Sequence, residues 1–199
     1  MFVRGIRACM SGSTERHATL SELESALPDI FQSPKEGGVI RLIARRPAVG
    51  EREVLQEAVI DLEQGVVGDN WKTKVSRSNP GKGPHPQKQV NLMNARVVQA
   101  VALTQERWAL AGDQLYVDMD LSEANLPVGT QLQVGSAVLE ITPPLHLGCG
   151  KFAARFGADS IKFINAPDRR ALRFRGVHTQ VISGGSVRKG DRVTVLRPA

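Results

Sequence analysis

Short alternating segments separated by glycine-containing turns are the feature that most restricts the fold of this chain. Residues 130–142, TQLQVGSAVLEIT, form two alternating runs joined by Gly135–Ser136, which suits a type II′ hairpin turn. The tail, residues 170–198, repeats the pattern, with turns at Gly184–Gly185 and Lys189–Asp191. Many short strands, tight turns and two or three helices predict a mainly β, barrel-like domain.

Two earlier segments predict further strands. Residues 38–46, GVIRLIARR, alternate so that Ile40, Leu42 and Ala44 share one face, which is typical of a half-buried strand. Residues 51–63, EREVLQEAVIDLE, are ambiguous between helix and strand, and the β-branched centre with glycines on both flanks favours strand. Residues 65–87 then form a long polar loop, and loops of that length are usually functional or disordered.

Helices are expected in two places. Residues 1–37 are interpreted as an N-terminal extension with a short helix, in which Thr19 and Glu22 form a capping box. The barrel-like domain then spans residues 38–199. Within it, apolar residues that recur every four positions predict a helix capped by Asn91 and ended by Gly112.

Composition narrows the class of protein and its partners. The chain has 199 residues, 41% of them apolar, which is typical of a globular protein rather than a disordered one. No apolar run is long enough for a membrane span, and no signal peptide is recognised at the N-terminus. The net charge of +6 favours anionic partners, but with only 5% aromatic residues the chain is poorly suited to stacking single-stranded bases. Two cysteines, Cys9 and Cys149, do not form a secreted disulfide framework, so a reducing, cytoplasmic setting is expected.

Cys149 has the most distinctive surroundings in the sequence, LHLGCGKFAARFG at residues 145–157. A thiol that precedes a basic helical run has its thiolate favoured, and Lys151 and Arg155 would supply the charge. The flanking glycines permit unusual backbone angles and close approach of a ligand. Cys149 could therefore act as a nucleophile, a sulfur carrier or a soft-metal ligand. The alternative from spacing alone, a buried cysteine that fills the core, stays open.

Three other groups are candidates with plainer alternatives. His146 could move protons near Cys149 or be an ordinary loop histidine, and the chain has too few histidines to favour a zinc site. Asp69 could orient a basic group or be an ordinary turn acid. If residues 170–176 form a strand, Arg173 and Arg175 share a face that could grip a phosphate, or that is simply solvated.

Taken together and in order, five segments resemble the MOSC domain, the family named after the C-terminal region of molybdenum-cofactor sulfurases. The likeness runs from about residue 38 to the end and centres on Cys149. The segments are GVVGD at 65–69, QVNLMNARVV at 89–98, ANLPVGTQLQVGSAVLEIT at 124–142, PLHLGCGKFAARFG at 144–157 and the closing tail, LRFRGVHTQVISGGSVRKGDRV.

The resemblance implies a MOSC-type β-barrel that binds molybdenum cofactor. In such proteins the cysteine carries sulfur or, in amidoxime-reducing members, ligates molybdenum, so the resemblance assigns one of these roles to Cys149. It also implies that Asp69 and Asn125 shape the pocket. Nearby cations would suit the cofactor's phosphate; they are Lys151, Arg155, Arg173 and Arg175.

Three departures from the family pattern stand out. Gly148 occupies a position where the family often has proline. One extra residue, Ala124, separates the acid Glu123 from the amide Asn125. The loop at residues 72–88 is longer than in compact members. Pyridoxal phosphate is not expected, because the desulfurase domain that would bind it does not fit in this chain.

Two classes of function follow. The first is a molybdenum-cofactor-binding protein that transfers sulfur or reduces N-hydroxylated compounds. It would depend on a cysteine desulfurase or on a separate electron donor, because no flavin, haem or iron–sulfur signature is evident. The second is a non-catalytic basic module for an anionic partner, in which nucleic acid is disfavoured because no nucleic-acid motif is evident. The sequence does not define the oligomeric state.

Overall fold

A closed barrel of seven strands forms the centre of the protein, as the computed structural model describes it for residues 16–73 and 83–197. The ring runs in the order β11, β7, β8, β9, β5, β6, β1 and closes because β1 also pairs with β11. Strand β2 extends the sheet beyond β1, and β10, β3 and β4 form a separate small sheet. The strands are β1 (Gly38–Arg45), β2 (Glu53–Leu55), β3 (Glu57–Asp61), β4 (Gly65–Val66), β5 (Val90–Asn94), β6 (Leu115–Asp118), β7 (Gln131–Val134), β8 (Ala137–Ile141), β9 (Val177–Ser183), β10 (Gly185–Arg188) and β11 (Arg192–Leu196).

In residues 16–73 and 83–197, five short α-helices and three 3₁₀ helices pack around the barrel. The α-helices are α1 (Leu20–Ser25), α2 (Leu27–Ile30), α3 (Ala95–Ala102), α4 (Gly150–Phe156) and α5 (Ala158–Ile164). The 3₁₀ helices are Pro86–Lys88, Gln105–Ala111 and Pro167–Leu172. No helix within the described ranges is long and apolar enough to cross a membrane. The mainly β architecture with a few helices is confirmed.

The hairpin and the capping box predicted from the sequence are both present. Strands β7 and β8 pair in register from Gln131 opposite Glu140 to Val134 opposite Ala137, and Gly135 has the positive φ that the turn requires. The Thr19 side chain accepts from the Glu22 backbone, while the Glu22 carboxylate accepts from the Thr19 backbone. The ambiguous segment at residues 51–63 forms strands β2 and β3, as favoured.

In strand β1 Arg41 is exposed, as expected of a half-buried strand, but the prediction that Ile40 shares a face with Leu42 and Ala44 was wrong. An irregularity between Ile40 and Leu42 breaks the alternation. Ile40 and Ile43 consequently point into the barrel core, while Leu42 and Ala44 join a second core beneath the helices. A β-bulge reverses the facing of the residues after it, and no periodicity in the sequence reveals that reversal.

The predicted helix cap at Asn91 was also wrong. Residues 90–94 form β5, and α3 begins only after Asn94, whose side chain accepts from the backbone of Arg96 and Val97. The helical pattern then divides into α3 and the 3₁₀ helix Gln105–Ala111. Gly112 ends the latter in a left-handed conformation, as expected of a glycine C-cap.

The segment at residues 170–176 is not a strand, which corrects the prediction for Arg173 and Arg175. The 3₁₀ helix ends at Leu172, Arg173 adopts a left-handed conformation, and β9 starts at Val177. Gly176 has a φ of +102°, and a Cβ there would lie 2.1 Å from the Leu92 carbonyl oxygen. The chain therefore enters the sheet only after this glycine, and the two arginine side chains do not share a strand face.

Candidate functional site

Cys149 lies at the N-cap of α4, on an exposed loop that follows β8. Burial raises the pKa of its thiol, but the backbone N–H groups of Phe152 and Lys151, together with the charge of Arg175, lower it by more. The thiol pKa therefore lies below its ordinary value, which increases the thiolate fraction near neutral pH. The exposure decides against the alternative of a core-filling cysteine. Cys9, the other cysteine, lies outside the described residues.

Gly148 has a defined structural reason for its place before Cys149. Its backbone N–H donates to the Asn165 side-chain oxygen over 2.9 Å, and its carbonyl accepts from the Asn165 amide over 3.1 Å. A Cβ at this position would lie 2.6 Å from Ile164 Cδ1. Proline has no N–H to donate, so a proline at position 148 could not form the hydrogen bond to Asn165.

A buried ion pair lies behind Cys149. Arg175 Nη1 is 2.6 Å from Asp113 Oδ2, and the Asp113 side chain is fully buried. Burial raises the pKa of the Asp113 carboxyl, and Arg175 opposes that rise. The same guanidinium stacks 5.0 Å from the ring centre of Phe152, in the first turn of α4. Arg175 thus joins Asp113 to the helix that begins at Cys149.

The rings of His146 and His178 are in contact beside this ion pair, tilted by 31° to each other. Their ring centres lie 4.2 Å apart, and His146 Nδ1 is 3.6 Å from Asp113 Oδ1. His178 Nδ1 lies 2.7 Å from Asn91 Oδ1, and since that oxygen only accepts, Nδ1 carries the proton and Nε2 is left as an acceptor. Burial, together with nearby positive charge, holds the pKa of His146 well below its ordinary value and lowers that of His178 to about 3. Both rings are neutral at pH 7.

Of the predicted cations, Arg155 is held away from the thiol. Its guanidinium donates to the Leu110 carbonyl over 2.5 Å. Lys151 is exposed, and its charge favours the Cys149 thiolate. Arg173 donates to the Leu126 carbonyl over 2.6 Å and, with Arg175, lines the pocket next to His146.

Arg155 belongs to a set of four arginines that cap the 3₁₀ helix before Asp113. Four successive carbonyls, those of residues 109–112, each accept from a different guanidinium. The donors are Arg52, Arg155, Arg175 and Arg46. The Ala109 carbonyl also accepts from the Gly112 N–H, and the arginines provide donors to the carbonyls that the end of the helix leaves free, next to Asp113.

Asp69 and Asn125 are both occupied by contacts within the protein. Asp69 forms a two-pronged ion pair with Arg46, at 2.7 and 2.9 Å, so it does orient a basic group. Burial raises the pKa of its carboxyl, but hydrogen bonds from Arg46 lower it by more. The Asn125 amide donates to the carbonyls of Lys35 and Asp120. Either residue would affect the pocket only indirectly, by fixing the loops that it bonds to.

The arrangement depends on two residues that sequence reasoning missed. Asp113 follows Gly112, and nothing in the local sequence marks it as a partner of Arg175, 62 residues away. His178 lies on β9 like any strand residue, and it meets His146 because β9 pairs with β8, the strand that precedes the His146 loop. Within residues 16–73 and 83–197, no three His, Cys, Asp or Glu side chains are grouped so that they could hold a metal ion.

Comparison with known proteins gives one family and several similar structures. The model of the MOSC domain family matches residues 82–194, more than half of the chain. The YuaD protein from Bacillus subtilis superimposes with a TM-score of 0.56 at 18% identity, covering 80% of this chain and 95% of that one. YiiM from Escherichia coli gives 0.51 at 17% identity, covering 81% and 71%. At these identities the two structures support the fold alone. The curated proteins contain no match to the chain.

Proposed function

Because the chain belongs to the MOSC domain family, we propose that it binds molybdenum cofactor through Cys149 and reduces N-hydroxylated compounds. The observation that carries this proposal is the state of the thiol. Cys149 is exposed, its pKa is lowered, and it caps the helix whose Phe152 contacts the buried Arg175–Asp113 pair. A thiolate is the soft ligand that a soft metal prefers.

The residues around Cys149 fit such a cofactor. No group of three protein ligands is available among the described residues, so a metal bound to Cys149 would have to bring its other ligands with it. A metal-bearing cofactor meets that requirement and a free metal ion does not. His146 Nδ1, buried and without a hydrogen-bond partner, is a polar atom that a ligand or a shift of Asp113 could satisfy.

When bound, the cofactor supplies the electron-transfer chemistry, and the chain supplies binding, charge and protons. The backbone N–H groups of Phe152 and Lys151, with the charges of Arg175 and Lys151, lower the pKa of Cys149 and so favour the thiolate that would bind a metal. Reduction of an N–OH group consumes protons, and in this proposal His146, whose Nδ1 lies 3.6 Å from Asp113 Oδ1, relays a proton towards the pocket. We infer that a separate protein delivers the electrons.

Sulfur transfer is a second candidate function, favoured by the exposure of Cys149. The Cys149 thiolate would attack the terminal sulfur of a desulfurase persulfide, forming a Cys149 persulfide and releasing the desulfurase thiolate. A desulfurase with free cysteine supplies the sulfur, so the step needs no other oxidant. An accessible, low-pKa thiol at a helix start is the kind that such exchange uses.

The molybdenum proposal is tested by metal and pterin content. The wild-type protein and Cys149→Ser are purified from a host that makes molybdenum cofactor, and bound molybdenum and pterin are measured. Lys189→Gln, a change of an exposed residue in the turn between β10 and β11, is the control. We expect both components in the wild type and in the control, and a large loss in Cys149→Ser. A wild type without molybdenum would overturn the proposal.

The sulfur-carrier candidate is tested by intact-protein mass spectrometry. The protein is incubated with a cysteine desulfurase and free cysteine, without reductant. A mass increase of one sulfur atom that disappears in Cys149→Ser supports sulfur carriage. An unchanged wild-type mass rules it out, whatever the molybdenum content.

A further inference from the structure

The pocket beside the two histidines carries positive charge without acidic residues in its wall. Three arginines line it, namely Arg170, Arg173 and Arg175, and none of the lining residues among those that the structure describes is an aspartate or glutamate. Apolar side chains from the loop before Cys149 and from α5 form the rest of the wall, among them Pro144, Leu147 and Ile164.

Two of these arginines form no direct ion pair in the part of the chain that the structure describes. Arg175 is neutralised by Asp113, whereas Arg173 donates to the Leu126 carbonyl and interacts with the charge of Glu123, which is not among the residues that line the pocket. Arg170 is exposed and takes part in none of the ion pairs of the described residues. The neighbouring Arg169 differs, because it pairs with Glu24 over 3.1 Å and stacks on Phe163.

Unpartnered polar atoms lie in the residues at the base of the same pocket. His146 Nδ1 and Arg175 Nε are buried without a hydrogen-bond partner, and both side chains are 9% exposed. Leaving such groups unsatisfied in the absence of a ligand costs stability, and natural proteins rarely do so without a functional reason. His178 adds an Nε2 acceptor, because its Nδ1 proton is held by Asn91.

We propose that this pocket binds a small organic anion, a carboxylate or phosphate monoester with an apolar body, as the substrate-recognition site next to Cys149. The guanidinium groups of Arg170 and Arg173 hold the anionic group, and the proline and leucine wall contacts the apolar body. The substrate role rests on the proposed function of Cys149, but the binding itself does not require a metal or a persulfide.

The probe is phenyl phosphate, with phenol as the uncharged control of the same ring. Binding to the purified protein is measured by calorimetry and by the NMR shifts of the His146 and His178 rings. We expect phenyl phosphate to bind and to shift both rings, and phenol to bind at least tenfold more weakly. Arg170→Gln and Arg173→Gln should each weaken phenyl phosphate binding about tenfold, while Arg169→Gln should leave it unchanged.

Two preparations, from hosts with and without molybdenum-cofactor synthesis, show whether the pocket takes the anionic group of a substrate or the phosphate of the cofactor. Equal binding of phenyl phosphate by both supports a substrate site. Loss of binding in the cofactor-loaded preparation alone would assign the pocket to the cofactor's phosphate and overturn the proposal. Undetectable binding at millimolar phenyl phosphate, or binding unaffected by both pocket substitutions, would also overturn it. Missing molybdenum or persulfide would refute the function of Cys149 without changing these outcomes.

Discussion

Replacing Arg175 with methionine should destabilise the protein by leaving Asp113 as an unpaired buried carboxylate. The pair is separated by 2.6 Å, with the Asp113 side chain fully buried and that of Arg175 9% exposed. Removing one partner of such a pair typically costs about 3–5 kcal/mol. The surface pair of Arg197 and Glu36, each more than half exposed, should cost less than ~1 kcal/mol when Arg197 becomes glutamine.

The assay is urea unfolding of Arg175→Met, Asp113→Asn and the double variant. We expect each single variant to lose several kcal/mol and the double variant to lose clearly less than their sum, because no unpaired charge then stays buried. Additive losses, each below ~1 kcal/mol, would refute the buried ion pair.

The pH dependence of Arg175→Met adds a second check. Burial raises the Asp113 pKa above 3.8 already in the wild type, and without Arg175 it rises further. A carboxyl whose pKa is raised on folding binds more protons in the folded state, so it favours folding at low pH and ceases to do so as the pH rises through the folded pKa. Arg175→Met should therefore recover part of its lost stability as the pH falls from 7 towards 4.

Three further predictions follow from local contacts. Thr19→Ala should lower the free energy of unfolding by about 1 kcal/mol, measured by urea unfolding, because it removes the capping box; no change would contradict that role. Gly148→Pro should lower the melting temperature, because proline cannot donate to Asn165; an unchanged value would show that this bond is dispensable. The rate at which iodoacetamide alkylates Cys149 should rise with pH and reach half of its maximum at a lower pH than for an ordinary thiol. Lys151→Gln should raise that midpoint pH, and a midpoint pH at or above the ordinary value would contradict the lowered pKa.

Local features of the fold could be predicted from sequence because neighbours along the chain decide them. The turn at Gly135, the capping box at Thr19 and the helix after Cys149 each depend on residues within a few positions. The bulge in β1 and the start of β5 depend on strand pairing with distant segments, so alternation missed the bulge and the four-residue spacing predicted a helix where β5 lies.

The candidate site was only partly predictable for the same reason. Cys149 and His146 are close in sequence, and their neighbourhood could be anticipated. Asp113 and His178 lie 33 and 32 positions from His146 in the sequence. They reach it because β8, β9, β5 and β6 are neighbours in the sheet. Arg175 was recognised as a cation, but its burial and its ion pair were not predicted, because the segment before Gly176 was taken for a strand.

The most direct test of the account is X-ray absorption at the molybdenum edge on protein from a cofactor-producing host. The account predicts that molybdenum in the wild type has one more sulfur neighbour than the molybdenum that remains in Cys149→Ser. Identical sulfur coordination in the two proteins, or no molybdenum in the wild type, would contradict the claim that Cys149 is a metal ligand.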